Sequence, residues 1–185
     1  MQTSSLICHP LSSSPAIREI SVGLSRRAEG ILHLEYSVHG RIDALRLPVA
    51  GPSRRADRLW QHTCFEVFIA EPAGSRYYEF NFSPSHQWAV YGFSAYRAGV
   101  SIADHVRAPD IAARSTTDHF ELEAMICINE LPFASTNPSL RLALSAVLEH
   151  ADTSMSYWAL AHPPGHPDFH HASGFALNLE PEMYR

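Results

Sequence analysis

Apolar and polar residues alternate along this chain in short runs bounded by turn-forming residues. The clearest example reads Cys64-Phe65-Glu66-Val67-Phe68-Ile69-Ala70, followed after Pro72-Ala73-Gly74 by Tyr77-Tyr78-Glu79-Phe80-Asn81-Phe82. A period of two marks a strand with one face in a core, so these runs predict a hairpin. Slipping the pairing by one residue would turn Phe80 and Phe82 away from Phe65, Val67 and Ile69. The register that keeps those five together places Glu66, Glu79 and Asn81 on the opposite face. If Phe68 pairs with Glu79, the two carboxylates are diagonal neighbours whose backbones lie about 7–8 Å apart.

The same signal predicts strands over 17–24, 31–39, 45–49, 64–71, 77–82, 87–96, 110–115, 119–128, 140–149, 154–162 and 174–179. Alternation is most regular in Phe120, Leu122, Ala124, Ile126 and Ile128, and in Leu140, Leu142, Leu144, Ala146 and Leu148. Those two strands are expected to line the core. No apolar stripe has helical period, and 129–133 has room for one turn. The stretch from Ser4 to Pro15 is rich in Ser and Pro, which predicts a loosely ordered lead-in over 1–15 with at most an edge strand at 6–8. About ten short strands without helices predict an all-β domain over 16–185. Two antiparallel sheets packed face to face are expected, a sandwich of the jelly-roll or immunoglobulin-like kind.

A length of 185 residues suits one domain with a sizeable core. The net charge of −5 argues against a large phosphate-binding patch, so nucleic acid is not an expected partner. All basic side chains are Arg and none is Lys, which excludes Schiff-base and amine-base mechanisms. Cys8, Cys64 and Cys127 are odd in number and far apart, so they read as reduced thiols of a cytoplasmic protein. No apolar run is long enough to span a bilayer, and Leu6-Ile7-Cys8 is too short for a signal-peptide core.

The run Leu59-Trp60-Gln61-His62-Thr63-Cys64-Phe65-Glu66-Val67-Phe68-Ile69 is followed by Tyr78-Glu79-Phe80-Asn81-Phe82-Ser83-Pro84 and Trp88. Together they resemble the signature of bacterial DOMON-like proteins, relatives of the family-nine carbohydrate-binding modules. The tail Tyr157-Trp158-Ala159-Leu160, His162-Pro163, Pro167-Asp168-Phe169-His170 and Gly174-Phe175 is similar to that group as well. The resemblance implies a β-sandwich whose broader relatives bind sugars or haem. It matches Glu66 to the acidic position of the modules' recurrent strand, and Asn81 with Pro84 to the strand and turn that follow. Facing aromatics make the modules' sugar site, a part open here to Trp60, Trp88 and Trp158. Haem relatives use Met and His as axial ligands, and Met125, Met155 and Met183 lie in no matching motif.

Sugars present C–H faces and many hydroxyls, so they are held by flat aromatics together with carboxylates, amides and Arg. Glu66, Glu79 and Asn81, with Trp60 and Trp88 to stack and Arg97 to anchor, contain those ingredients. The alternative for the same carboxylates is hydrolysis, in which one acts as acid and the other as base or nucleophile. A second cluster, His162, His166, Asp168 and His170, offers metal-ligating side chains, although Pro163, Pro164 and Pro167 preclude a helix and leave only a loop to bring them together. Cys64 beside His62 has the spacing of a thiolate and base, and equally that of a buried small residue. The expectation is a non-catalytic module that needs no cofactor and binds a carbohydrate or other small polar ligand.

Overall fold

A computed structural model describes residues 1–71, 73–134 and 139–180. The described residues form thirteen strands: β1 (Gln2–Cys8), β2 (Ile17–Arg27), β3 (Ile31–Gly40), β4 (Arg54–Arg55), β5 (Cys64–Ala70), β6 (Tyr77–Phe82), β7 (Gln87–Phe93), β8 (Ser101–Ile102), β9 (Asp110–Ser115), β10 (His119–Cys127), β11 (Leu140–Glu149), β12 (Met155–Ala159) and β13 (Leu177–Leu179). Among the described residues the only helical pieces are single 3-10 turns, one of them at Ile128–Glu130. No helix there is long and apolar enough to cross a membrane. Of the residues that carried expectations, Pro72 and Met183 lie outside the described set.

The expected all-β class holds, but the two separate sheets do not. One continuous sheet runs β4-β7-β6-β5-β11-β12-β1-β2-β3-β10-β9, with β8 added to β7 and β13 to β11. The cause is β1. Its Gln2–Leu6 portion pairs with β2, while Ile7 and Cys8 pair with Ala159 and Trp158 of β12, so one strand joins both halves. Residues 2–8, expected in a loose lead-in, thus sit mid-sheet. The Ser content hides a strand whose Leu6 is buried, and the turn residues Pro10 and Pro15 fall after its end. Among the described residues all strand pairings are antiparallel except β4 with β7.

The sheet curls so that its halves face each other across an apolar interior. Phe65 of β5 stacks on Phe120 of β10 at 5.6 Å and lies 5.1 Å from Tyr36 of β3. All three are buried, and burial of each such ring stabilises the fold by about 1.5–3 kcal/mol. The Tyr36 hydroxyl meets its hydrogen-bond requirement inside the core by donating to the Glu66 carbonyl at 2.7 Å. Residues 45–49, expected as a strand, contribute only an isolated bridge between Leu45 and His150. Pro48 lacks the amide proton that a ladder needs there.

Candidate functional site

The β5–β6 register is the one that the apolar pattern selects. Phe65 faces Phe82, Val67 faces Phe80, Glu66 faces Asn81, and Phe68 faces Glu79. The acids and the amide therefore share the face turned away from the core. β7 and β11 extend that face, because Glu79 lies opposite Tyr91, Tyr77 opposite Phe93, and Glu66 opposite Ser145.

This outer face is covered. Glu66 is 2% exposed, Glu79 5% and Asn81 0%. The cover comes from the turn after β7 and from the loop between β12 and β13. In the first, Ala98 donates to the Ala95 carbonyl, and Arg97 takes a left-handed conformation with φ 51°. Gly99 follows at φ 60°, where a Cβ would lie 2.1 Å from Ser94 Oγ, so a side chain is excluded. Asp168 pins the two covers together. It accepts from Arg97 Nη2 at 2.8 Å, the Tyr96 hydroxyl at 2.5 Å and the His170 amide at 3.1 Å. Although burial acts against it, the Tyr96 and Arg97 bonds hold the Asp168 carboxyl below its ordinary value.

Between the sheet and these covers lies a cleft of about 670 Å³, a size suited to a small ligand. Glu66 and Glu79 lie on its floor with Phe68 and Val147. Trp60, 41% exposed, stands at the rim with its ring edge-on to Tyr91 at 6.0 Å. The Tyr91 hydroxyl is fixed by donating to Asp57 Oδ1 at 2.6 Å. Tyr157 and Phe169, 6.2 Å apart, also line the cleft. Arg97 and His170 close it from above.

The floor is electrostatically unusual. Burial, and next the proximity of Glu79, push the Glu66 carboxyl well above the usual carboxylate range, while a 3.2 Å bond from Ser145 Oγ to Oε2 works the other way. Burial also raises Glu79, opposed by the 2.7 Å bond from Asn81 Nδ2 to Oε1 and by the charge of Arg97. Asn81 is thus a support beneath the cleft, and its Oδ1 accepts from the Cys64 thiol at 3.6 Å. His170 packs edge-on against Phe68 and Phe93, each at 5.1 Å. That burial, with Arg97 nearby, lowers its pKa to about 4. The Tyr77 hydroxyl accepts from the Arg97 amide at 3.1 Å and shares a hydrogen bond with His170 Nδ1 at 2.8 Å. The other ring nitrogen, Nε2, faces Glu79 Oε2 at 3.7 Å.

Of the residues singled out from sequence, Trp60, Glu66, Glu79 and Arg97 converge on the cleft and Asn81 lies under it. Two tryptophans do not. Trp88 pairs with Phe82 and packs against the core, and Trp158 is buried in it, with its indole N–H donating to Ser156 Oγ at 3.1 Å. Both fall on the inward parity of their strands, so neither can stack a ligand on the outer face. The loop residues divide, with His166 and His170 lining the cleft while His162 and Asp168 turn to other partners. His162 Nε2 meets the Ile7 carbonyl at 2.8 Å, Asp168 holds Arg97, and His170 holds Tyr77. Among the described residues no three His, Cys, Asp or Glu side chains group to hold a metal ion. His62 turns to Glu149, at 2.7 Å, while the Cys64 thiol is buried beside Asn81, so the two form no nucleophile pair. The sequence reading missed Tyr91, Phe93, Tyr157 and Phe169. For Tyr91 and Phe93 the signal was present, because both share the parity opposite to core-facing Val90.

Fold and site together define an all-β protein with one outer sheet face roofed into a ligand-sized cleft. No protein-family model matches the chain, and no curated protein matches it. Among solved structures, a "putative carbohydrate-binding protein" from Bacteroides uniformis superposes with a TM-score of 0.64 at 16% identity, over 94% of this chain and 83% of its own. A family-nine carbohydrate-binding module from Caldicellulosiruptor kristjanssonii, in complexes with glucose and cellotriose, gives TM-scores of 0.47 and 0.48 at 12% and 11% identity. Those matches cover 83% of this chain and 72% and 70% of the module. The Bacteroides protein shares this fold, and the two weaker superpositions add no argument.

Proposed function

We propose that this chain binds a carbohydrate in the cleft between Trp60 and Arg97. The observation that carries the reading is the composition of the cleft, which places an accessible Trp and Tyr at the rim, and two carboxyls and a guanidinium within. A pyranose lays its C–H face on an aromatic ring while its hydroxyls exchange hydrogen bonds with groups of these kinds. The fold shared with the Bacteroides protein and the resemblance of the 59–88 segment to DOMON-like proteins are in keeping with this. Three free thiols suit a reducing compartment such as the cytoplasm. The test is a glycan array followed by tryptophan-fluorescence titration. Trp60 is the one strongly exposed tryptophan, so binding shifts its emission, and Trp60→Ala removes the response. Silence across all glycans would overturn the proposal.

Hydrolysis is a second reading, favoured by one observation: burial raises the Glu66 carboxyl, the direction in which a glycosidic acid is tuned. It predicts slow release of nitrophenol from an aryl glycoside that is abolished in Glu66→Gln. No release from any aryl glycoside would leave binding alone.

A further inference from the structure

The charge around the cleft narrows the ligand. Glu66 faces it from β5 and Glu79 from β6; the turn after β7 brings Arg97; the loop after β12 brings His166, Asp168 and His170. Tyr91 and Tyr157 are the titratable phenols of the walls, and Cys64 lies beneath, buried against Asn81. Arg97 is the permanent cation, and its Nη2 is committed to Asp168 at 2.8 Å. His170 is neutral near pH 7. The Arg97 charge, which acts on Glu79, is thus shared with Asp168, and among the described residues no cation is hydrogen-bonded to either acid of the floor.

Their bonds within the chain are incomplete too. Glu66 Oε2 accepts from a neutral hydroxyl and Glu79 Oε1 from a neutral amide. Among the described residues Glu66 Oε1 has no donor, and the gap from Glu79 Oε2 to His170 Nε2, 3.7 Å, is too long for a hydrogen bond. Burial and mutual proximity hold these acids towards their neutral forms, and a neutral sugar, which supplies hydroxyl donors but no charge, leaves them so. An ammonium supplies three donors and the opposite charge at once, and charge-assisted bonds are about twice as strong as neutral ones. The walls act in the same direction, because aromatic faces such as those of Trp60 and Tyr91 attract a cation.

We propose that the preferred ligand is an amino sugar, its protonated amine held between Glu66 and Glu79 and its ring against Trp60 and Tyr91. This rests on the sugar-binding reading and specifies the substrate class of the same cleft.

The experiment is calorimetric titration of the full chain near pH 6.5 with D-glucosamine, D-glucose and N-acetyl-D-glucosamine at matched ionic strength. D-galactosamine, D-galactose and N-acetyl-D-galactosamine form a second set. The expected result is that a free amine binds at least about tenfold more tightly than the matching neutral sugar, with the acetylated form losing that gain. Raising salt from 0.05 to about 0.5 M should shrink the ratio. Glu66→Gln should bring it close to one. Glu79→Gln is the second variant, and retention of the native near-ultraviolet dichroism shows that either has folded. Equal binding of amine and neutral sugar overturns the amino-sugar proposal and leaves the carbohydrate reading standing. Absence of binding by every sugar in both sets overturns the two together.

Discussion

Two strands of this protein carry the same pattern and meet different fates. β10 reads Phe120-Glu121-Leu122-Glu123-Ala124 and β5 reads Phe65-Glu66-Val67, each with apolar residues inward and carboxylates outward. On β10 the outer face meets solvent. The Glu121 and Glu123 side chains are 20% and 32% exposed and share Arg114, itself 71% exposed. On β5 and β6 the outer face is roofed, Glu66 is buried and the Glu79 side chain keeps 7% exposure. Alternation decides which way a side chain points, and cover contributed from elsewhere decides whether it meets water. The consequence is chemical. A solvated acid pairs with a surface Arg in water, whereas a roofed acid loses solvation and is held towards its neutral form.

The contrast can be broken or sharpened by substitution. The largest effect is expected where the halves meet. Phe65→Ala removes the ring that touches both Tyr36 and Phe120, and should lower unfolding free energy by about 3–5 kcal/mol in urea denaturation. Next comes ligand affinity. Trp60→Ala should weaken sugar binding by at least about tenfold by calorimetry, whereas Glu121→Ala on the solvated face should leave it unchanged.

A third effect appears as a function of pH. The folded pKa of Glu66 is raised, so between its unfolded and folded values the native state binds more protons than the unfolded state. Stability contributed by this group is therefore full at acid pH and falls as pH climbs through that window. Glu66→Gln should remove this loss, and its advantage over the native chain should grow from pH 4.5 to pH 8 in urea melts. Glu149 has the opposite sign. A bond from His62 lowers its pKa, so Glu149→Gln should lose stability relative to the native chain above the unfolded pKa. The smallest effect belongs to Arg114→Ala, whose thermal midpoint should coincide with that of the native chain within measurement scatter.

The hairpin register was legible in the sequence because Phe65, Val67, Ile69, Phe80 and Phe82 fit only one alignment, and that alignment fixed the shared face of Glu66, Glu79 and Asn81. The parity of β7 was legible as well. Val90 marks the inward side, which assigns Trp88 to the core and Tyr91 and Phe93 to the cleft. Taking tryptophan as a stacking platform by residue type overrode that parity. The roof was not legible. It depends on Asp168 meeting Arg97, 71 residues earlier in the chain, and on His170 meeting Tyr77, 93 residues earlier. Such contacts between irregular segments leave no period in the sequence. The continuity of the sheet was hidden for a similar reason, since β1 changes partner between Leu6 and Ile7, from the next strand β2 to β12, which is remote in sequence.

The most direct measurement is a two-dimensional ¹⁵N–¹H NMR titration of the assigned chain with D-glucosamine. Amide shifts should move around Trp60, Glu66, Glu79, Tyr91, Arg97 and Phe169, while those of His33 to His39 and His119 to Met125 stay still. Shifts confined to the solvated face, or none at saturating sugar, would contradict a roofed recognition site over β5 and β6.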